Sequence, residues 1–217
     1  MKNSNHKLKI ITISGLDGSG KSTQVDLIKE HLESQGKKVY YFHAVQYSLV
    51  NKIIRALKSP LVLFGILKQK EGRSVSKVSK ANRWQLSLRR FILKMDIVRF
   101  DTLCANLTTG GYDYIISDRY FYDNAINIEY LTAKLNPDFH DSNLLGLKDM
   151  IVKPNIAIYL QAEPKAIMER ERTPDQGIVY LELKKNLFDK KTEIIDWKVI
   201  NGNRSKEQVF EEIKNLI

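Results

Sequence analysis

The run Gly15-Leu16-Asp17-Gly18-Ser19-Gly20-Lys21-Ser22-Thr23 has the spacing G-x-x-x-x-G-K-[ST]. Each residue type has a use in gripping a polyphosphate. Glycines at Gly15, Gly18 and Gly20 let the backbone wrap around a phosphate with its N–H groups turned inward. Lys21 can reach β- and γ-phosphates, and the Ser22 hydroxyl can ligate Mg²⁺. A second candidate is Asp118-Arg119. A carboxylate at the end of a strand neighbouring such a loop can hold Mg²⁺, and a guanidinium beside it can take a phosphate with two prongs. Alone, that pair also reads as a surface ion pair; beside the loop it reads as functional. Together these residues describe ATP- and Mg²⁺-dependent phosphoryl transfer.

The flanking elements fit. Residues 8–14 (LKIITIS) are β-branched and apolar, as in a buried strand. Residues 21–34 carry Val25, Ile28 and Leu32 at helical spacing, and Gly36 ends the helix. A helix N-terminus directly after the glycine loop adds partial positive charge for the phosphate. Further strands are expected at 38–43, 114–117, 156–160 and 193–200, and helices at 50–57, 82–107, 120–135, from Pro164, at 179–188 and at 205–217. Alternating strands and helices predict an α/β fold: a parallel sheet with helices on both faces. The chain reads as one domain over residues 1–217, with no internal repeat.

Composition narrows the partners. The 35 Lys and Arg outnumber the 25 Asp and Glu, which favours an anionic ligand. The excess sits between Lys52 and Arg99, where thirteen basic residues face two acids, Glu71 and Asp96. That segment reads either as a solvated basic face or as the flank of an acceptor site. No RNA- or DNA-binding motif accompanies it, so nucleic acid is not the expected partner. With one cysteine, Cys104, no intrachain disulfide is possible. With no signal segment and no long apolar run, a cytoplasmic protein without membrane contact is expected. His6, His31, His43 and His140 lack metal-ligand spacing. No Ser-His-Asp order or guanine-binding Asn-Lys-x-Asp appears, which removes hydrolases and GTPases from consideration.

The loop GLDGSGKST, the triplet Asp118-Arg119-Tyr120 and the segment 153–172 (KPNIAIYLQAEPKAIMERER) together resemble thymidylate kinases. The resemblance spans residues 7–217 and is sharp in these three blocks. It implies a P-loop NTPase fold of the nucleoside-monophosphate-kinase type, with a five-stranded parallel sheet, and a homodimer. It also implies conversion of dTMP to dTDP with ATP and Mg²⁺. By position, Asp17 would approach the acceptor's 3′-hydroxyl or the transferred phosphate, Asp118 would serve the metal, and Arg119 and Tyr120 the acceptor. Arg170 and Arg172 would close from a lid at about 169–180 onto the transferring group; Ser19 is not basic, so the lid must supply mobile cations. The lid is expected open or disordered without ligand. Arg99 would hold the acceptor phosphate, with Arg89 or Arg90 as alternatives. The loop at Asn203 and Arg204 lies where the family places adenine.

The residues also depart from the pattern. Where the family carries a serine after the Asp-Arg-Tyr triplet, this chain has Asp123, and the later Tyr-Gln pair is missing. Read from residues alone, the acceptor stays open: a nucleoside monophosphate, or a nucleoside, sugar or other metabolite. A nucleotide-binding regulator with slow turnover is the reading from another class.

Overall fold

The computed structural model describes residues 7–49, 83–136, 138, 139, 143–170 and 174–217. The expected helix at 50–57, the basic stretch up to residue 82, and Arg172 lie outside these residues.

Five strands form one parallel sheet: β1 (Lys9–Gly15), β2 (Val39–Phe42), β3 (Tyr114–Asp118), β4 (Ile156–Gln161) and β5 (Lys198–Asn201). Their order is β2-β3-β1-β4-β5. β1 therefore runs through the middle, in register with Tyr114–Asp118 on one side and with Ile156 to Leu160 on the other. The order is the expected five-stranded α/β sheet.

Side-chain alternation splits the core between the two sheet faces. Ile11 and Ile13 of β1, Ile116 of β3, and Ile158 and Leu160 of β4 meet one layer of helices. That layer is α1 (Lys21–Ser34), through Val25, Ile28 and Leu32, and α7 (Lys206–Lys214), through Val209 and Ile213. α7 opens with a capping box in which Ser205 accepts from the Gln208 amide at 3.3 Å. Ile115, Ala157 and Tyr159 face the opposite layer. There lie α3 (Arg83–Thr109), α4 (Phe121–Leu135) and α6 (Ile178–Lys191). α3 presents Leu93, Ile97, Phe100 and Leu107, whose spacings of four, three and seven keep them on one stripe. Short helices α2 (Ala44–Tyr47) and α5 (Pro164–Met168) follow β2 and β4.

One boundary differs from expectation. The last strand starts at Lys198, not at 193. Ile194 and Ile195 both donate to the Lys191 carbonyl, and Trp197 to that of Ile195, so residues 193–197 turn. Their apolar members still reach the core: Trp197 packs on Tyr159 and Phe188 with ring centroids 5.3 and 5.8 Å apart. Burial without a ladder produced the strand-like pattern.

Candidate active site

All strands point their carboxyl ends the same way, so the turns after β1, β3 and β4 gather at one edge, where parallel sheets bind ligands. The turn after β1 is the glycine loop. At Gly15, φ is +146°, and an added Cβ would lie 2.6 Å from the Leu160 carbonyl oxygen of β4. At Gly18, φ is +83°, and an added Cβ would meet Ile167 at 2.8 Å. Only glycine fits both the dihedrals and the space. α1 then starts from Gly20, which offers no side-chain cap, and no acid lies in its first turn. Its leading amides are left for an anion.

Within the loop, Lys21 is buried and donates to the Leu16 carbonyl at 2.6 Å. Burial, with Arg119 nearby, pulls its ammonium below the ordinary lysine range despite the carboxylates of Asp17, Asp118 and Asp123. β3 delivers Asp118 next to the loop. The Ser22 hydroxyl donates to Asp118 Oδ2 at 2.5 Å. Asp118 Oδ1 and Ser19 Oγ are buried and meet no hydrogen-bond partner among the described residues. A hydroxyl and a carboxylate oxygen side by side, with a further oxygen unsatisfied, fit a hard cation that takes its other ligands from water and phosphate. No group of three or more His, Cys, Asp or Glu suited to a metal occurs among the described residues.

Arg119 adopts φ 68° and pairs its guanidinium with Asp17 Oδ1. Burial alone would raise the Asp17 carboxyl; Arg119, Lys21 and Lys184 outweigh it and hold the carboxyl below its usual range. Tyr180 also bonds to Asp17.

Asp17, Arg119 and Gly15 line a cavity of about 420 Å³ together with Arg89, Asp123, Asn124, Asn127, Gln176, Tyr180 and Lys184. A neighbouring cavity of about 510 Å³ shares Val45, Arg89, Asn124 and Asn127 with it and is walled by Trp84, Leu88 and Ile92 of α3. The first has the size of a small-molecule site.

Asp123 is buried beneath the loop. It accepts from Ser14 Oγ at 2.6 Å, from the Tyr120 amide at 2.9 Å and from the Gly15 amide at 3.4 Å. Burial raises its carboxyl above the usual range, more than these bonds and the neighbouring cations lower it.

The candidates from the sequence separate clearly. Gly15, Gly18, Ser19, Gly20, Lys21, Ser22, Asp17, Asp118 and Arg119 come together at one edge. Arg170, just past α5, donates to the Gly18 carbonyl at 2.5 Å and the Gly202 carbonyl at 2.9 Å. It lies against the phosphate loop; residues 171–173 of the expected lid lie outside the described residues. Arg204 stands in the turn after β5, beside Gly202, paired with Glu212. Thr23 follows Ser22 in the first turn of α1.

Two expectations need correction. Tyr120 does not face a ligand: its ring is fully buried among Phe42, Phe100 and Phe121, and its hydroxyl donates to the Val152 carbonyl at 2.8 Å. Arg99 does not line the cavity. It is bonded to Asp96 at 2.8 Å and stacked on Tyr47, 4.6 Å from the ring centroid. Arg90 donates to the Leu145 carbonyl. Of the three arginines, Arg89 is the one that lines both cavities. Sequence reasoning missed Lys184 and Asn127. A helical lysine among Lys185, Lys190 and Lys191 carries no signal of its own. Cys104 is half-buried against the core as expected of a small hydrophobe, and burial pushes its thiol up to about 11.

Comparison with known proteins points to one family. The family model described as thymidylate kinase matches residues 13–62. A thymidylate kinase of Thermosipho africanus is 27% identical over 220 residues, covering 95% of this chain and 96% of that one. A probable thymidylate kinase of Archaeoglobus fulgidus is 25% identical over 219 residues, covering 96% and 94%. Over nearly its whole length the chain is similar to thymidylate kinases. Among solved structures, the fold is shared with the thymidylate kinase from Candida albicans, at TM-score 0.61, 17% identity and coverage of 96% and 90%. That from Ehrlichia chaffeensis gives TM-score 0.59, 19% identity and coverage of 96% and 98%. No helix among the described residues is long and apolar enough to cross a membrane.

Proposed function

We propose that this chain transfers the γ-phosphoryl group of ATP to a nucleoside monophosphate, converting dTMP to dTDP. The observation that carries this reading is the juxtaposition of Lys21 and the Ser22–Asp118 pair with a 420 Å³ cavity entered past Asp17 and Arg119. Two anionic substrates can meet there, one on the loop and one in the cavity.

Phosphoryl transfer passes through a loose transition state whose charge lies on the equatorial oxygens. The protein's task is to position the partners and neutralise that charge. The amides of the glycine loop and the start of α1 grip the donor's phosphates, and Lys21 exchanges the Leu16 carbonyl for a phosphate oxygen. Ser22 and Asp118 would hold Mg²⁺, which draws charge from the β- and γ-phosphates. The turn at Asn203 and Arg204 receives the adenine. Arg119 and Arg89 orient the acceptor phosphate, while Asp17 fixes the Arg119 fork and stands near the acceptor's hydroxyl. Arg170, and Arg172 beyond the described residues, bring lid charge to the transferring group. The homodimer and the single-domain reading belong to the same proposal.

The test is an acceptor panel: ATP and Mg²⁺ with each nucleoside monophosphate, with nucleosides and with sugars, following ADP release. Release stimulated by dTMP and lost in a folded Lys21→Ala variant is expected. Release stimulated by a non-nucleotide alone, or by nothing, sinks the proposal.

A further inference from the structure

Lys184 projects from α6 into the acceptor cavity and is 8% exposed. A lysine this buried is ordinarily matched by a carboxylate. The acids that act on it are already engaged: Asp17 by Arg119 and Tyr180, Asp123 by Ser14 and two amides. Among the described residues, the hydrogen bond found for the Lys184 ammonium runs to Asn127 Oδ1 at 3.3 Å. The rings of Tyr180 and Phe188 lie 5.8 Å away on their own centroids. An ammonium has three donors. Asn127, its carbonyl oxygen turned to Lys184, keeps its amide N–H groups as donors. This corner of the cavity is therefore rich in donors and poor in acceptors. It also sits where the two cavities join, since Asn127 lines both.

We propose that Lys184, steadied by Asn127, is a specificity-determining residue that donates a hydrogen bond to an oxygen of the acceptor's nucleoside part, a base carbonyl or a sugar hydroxyl. This rests on the reading of the cavity as a nucleoside monophosphate site. The burial that leaves the ammonium short of partners also makes it easy to deprotonate: burial pulls it down to about 8, with Arg119 and Lys21 acting the same way and Asp17 and Asp123 opposing. With these groups, Tyr180 on α6 itself, Arg89 of α3 and Tyr130 of α4 are the charged and titratable side chains around the cavity that Lys184 lines. The charged donor is present below that value and gives way to a weaker neutral amine as pH rises through it.

The experiment is calorimetric binding of dTMP and of thymidine to the whole chain and to Lys184→Met, which keeps the stem and removes the charge. Replacing a buried lysine by methionine is well tolerated in packing terms, and ATP binding to the same samples reports that the fold survives. We expect dTMP and thymidine to weaken by the same factor, tenfold or more, with ATP affinity unchanged. Wild-type affinity for dTMP should also fall between pH 7 and 9 more steeply than that of the variant. Asn127→Ala should reproduce part of the loss. Binding of both ligands within twofold of wild type overturns the proposal. Loss for dTMP with thymidine unaffected overturns it as well, since Lys184 would then hold the phosphate. If wild type binds neither ligand while binding ATP, the nucleoside monophosphate reading falls and this inference with it.

Discussion

The carboxylate of Asp123 receives the hydroxyl of Ser14 at 2.6 Å, tying the first turn of α4 to the last residue of β1 before the phosphate loop. The same oxygen takes the Tyr120 amide. Asp123 thus works as a helix cap and a loop anchor at once. Truncation in Asp123→Ala takes this partner from the Ser14 hydroxyl and the Tyr120 and Gly15 amides, which costs roughly 2–4 kcal/mol from typical penalties for unpaired buried groups. Urea denaturation of the two proteins measures it; a loss under half a kcal/mol, roughly, would mean water takes over the bonds.

Asp123 also carries a pH signature. Its folded-state value lies above its ordinary one because of burial. The native state therefore takes up this proton first as pH falls, and the group adds stability on the way down through that window. Asp123→Asn removes the contribution, so stability of the variant should decline with acidification sooner than wild type. Parallel stability-versus-pH curves would count against it.

Asp118→Asn keeps the bulk and removes the charge beside Ser22. The Mg²⁺ concentration for half-maximal turnover should rise about 10- to 100-fold, the usual scale when groups around a metal are altered. A magnesium titration of activity checks this; an unchanged midpoint would place the cation elsewhere.

Arg89 and Arg99 should behave differently although both lie on α3. Losing a charge-assisted hydrogen bond costs about 1.5–3 kcal/mol, so Arg89→Ala should raise the acceptor KM roughly tenfold or more. Arg99→Ala breaks the Asp96 pair and the Tyr47 stack and should move KM less than twofold while lowering thermal stability. Steady-state kinetics with varied dTMP separates them, and the reverse ranking would restore Arg99 as the acceptor ligand.

Arg170→Ala should lower kcat by roughly a hundredfold, the scale for one lost donor to developing charge, and change ATP affinity much less. Nucleotide binding and turnover are measured on the same protein. Equal losses in both would make Arg170 a strut between Gly18 and Gly202 only.

The phosphate site was written in the chain because it is local. Nine consecutive residues, an apolar strand before them and a helix after them signal both the loop and its chemistry. The parallel sheet was legible for a similar reason: alternating strands and helices leave few right-handed arrangements. Asp118 was legible as a strand end, although only the pairing of β1 with β3 brings it to Ser22.

Which side chains line the cavities was decided by packing. Arg89 precedes Leu93, Ile97 and Phe100 at spacings that continue the buried stripe of α3, so it emerges where the core ends and the cavity begins; Arg99 lies off that stripe. Tyr120 sits beside Arg119 in sequence, yet φ 68° at Arg119 turns the two side chains apart, one to Asp17 and one into the core. Lys184 is an ordinary lysine on a lysine-rich helix until α6 folds over the cavity and removes it from water. Sequence fixes what a short segment must do with its own backbone. Which charged side chains lose their solvent depends on surfaces from α3, α4 and α6 meeting, and that is a property of the folded chain alone.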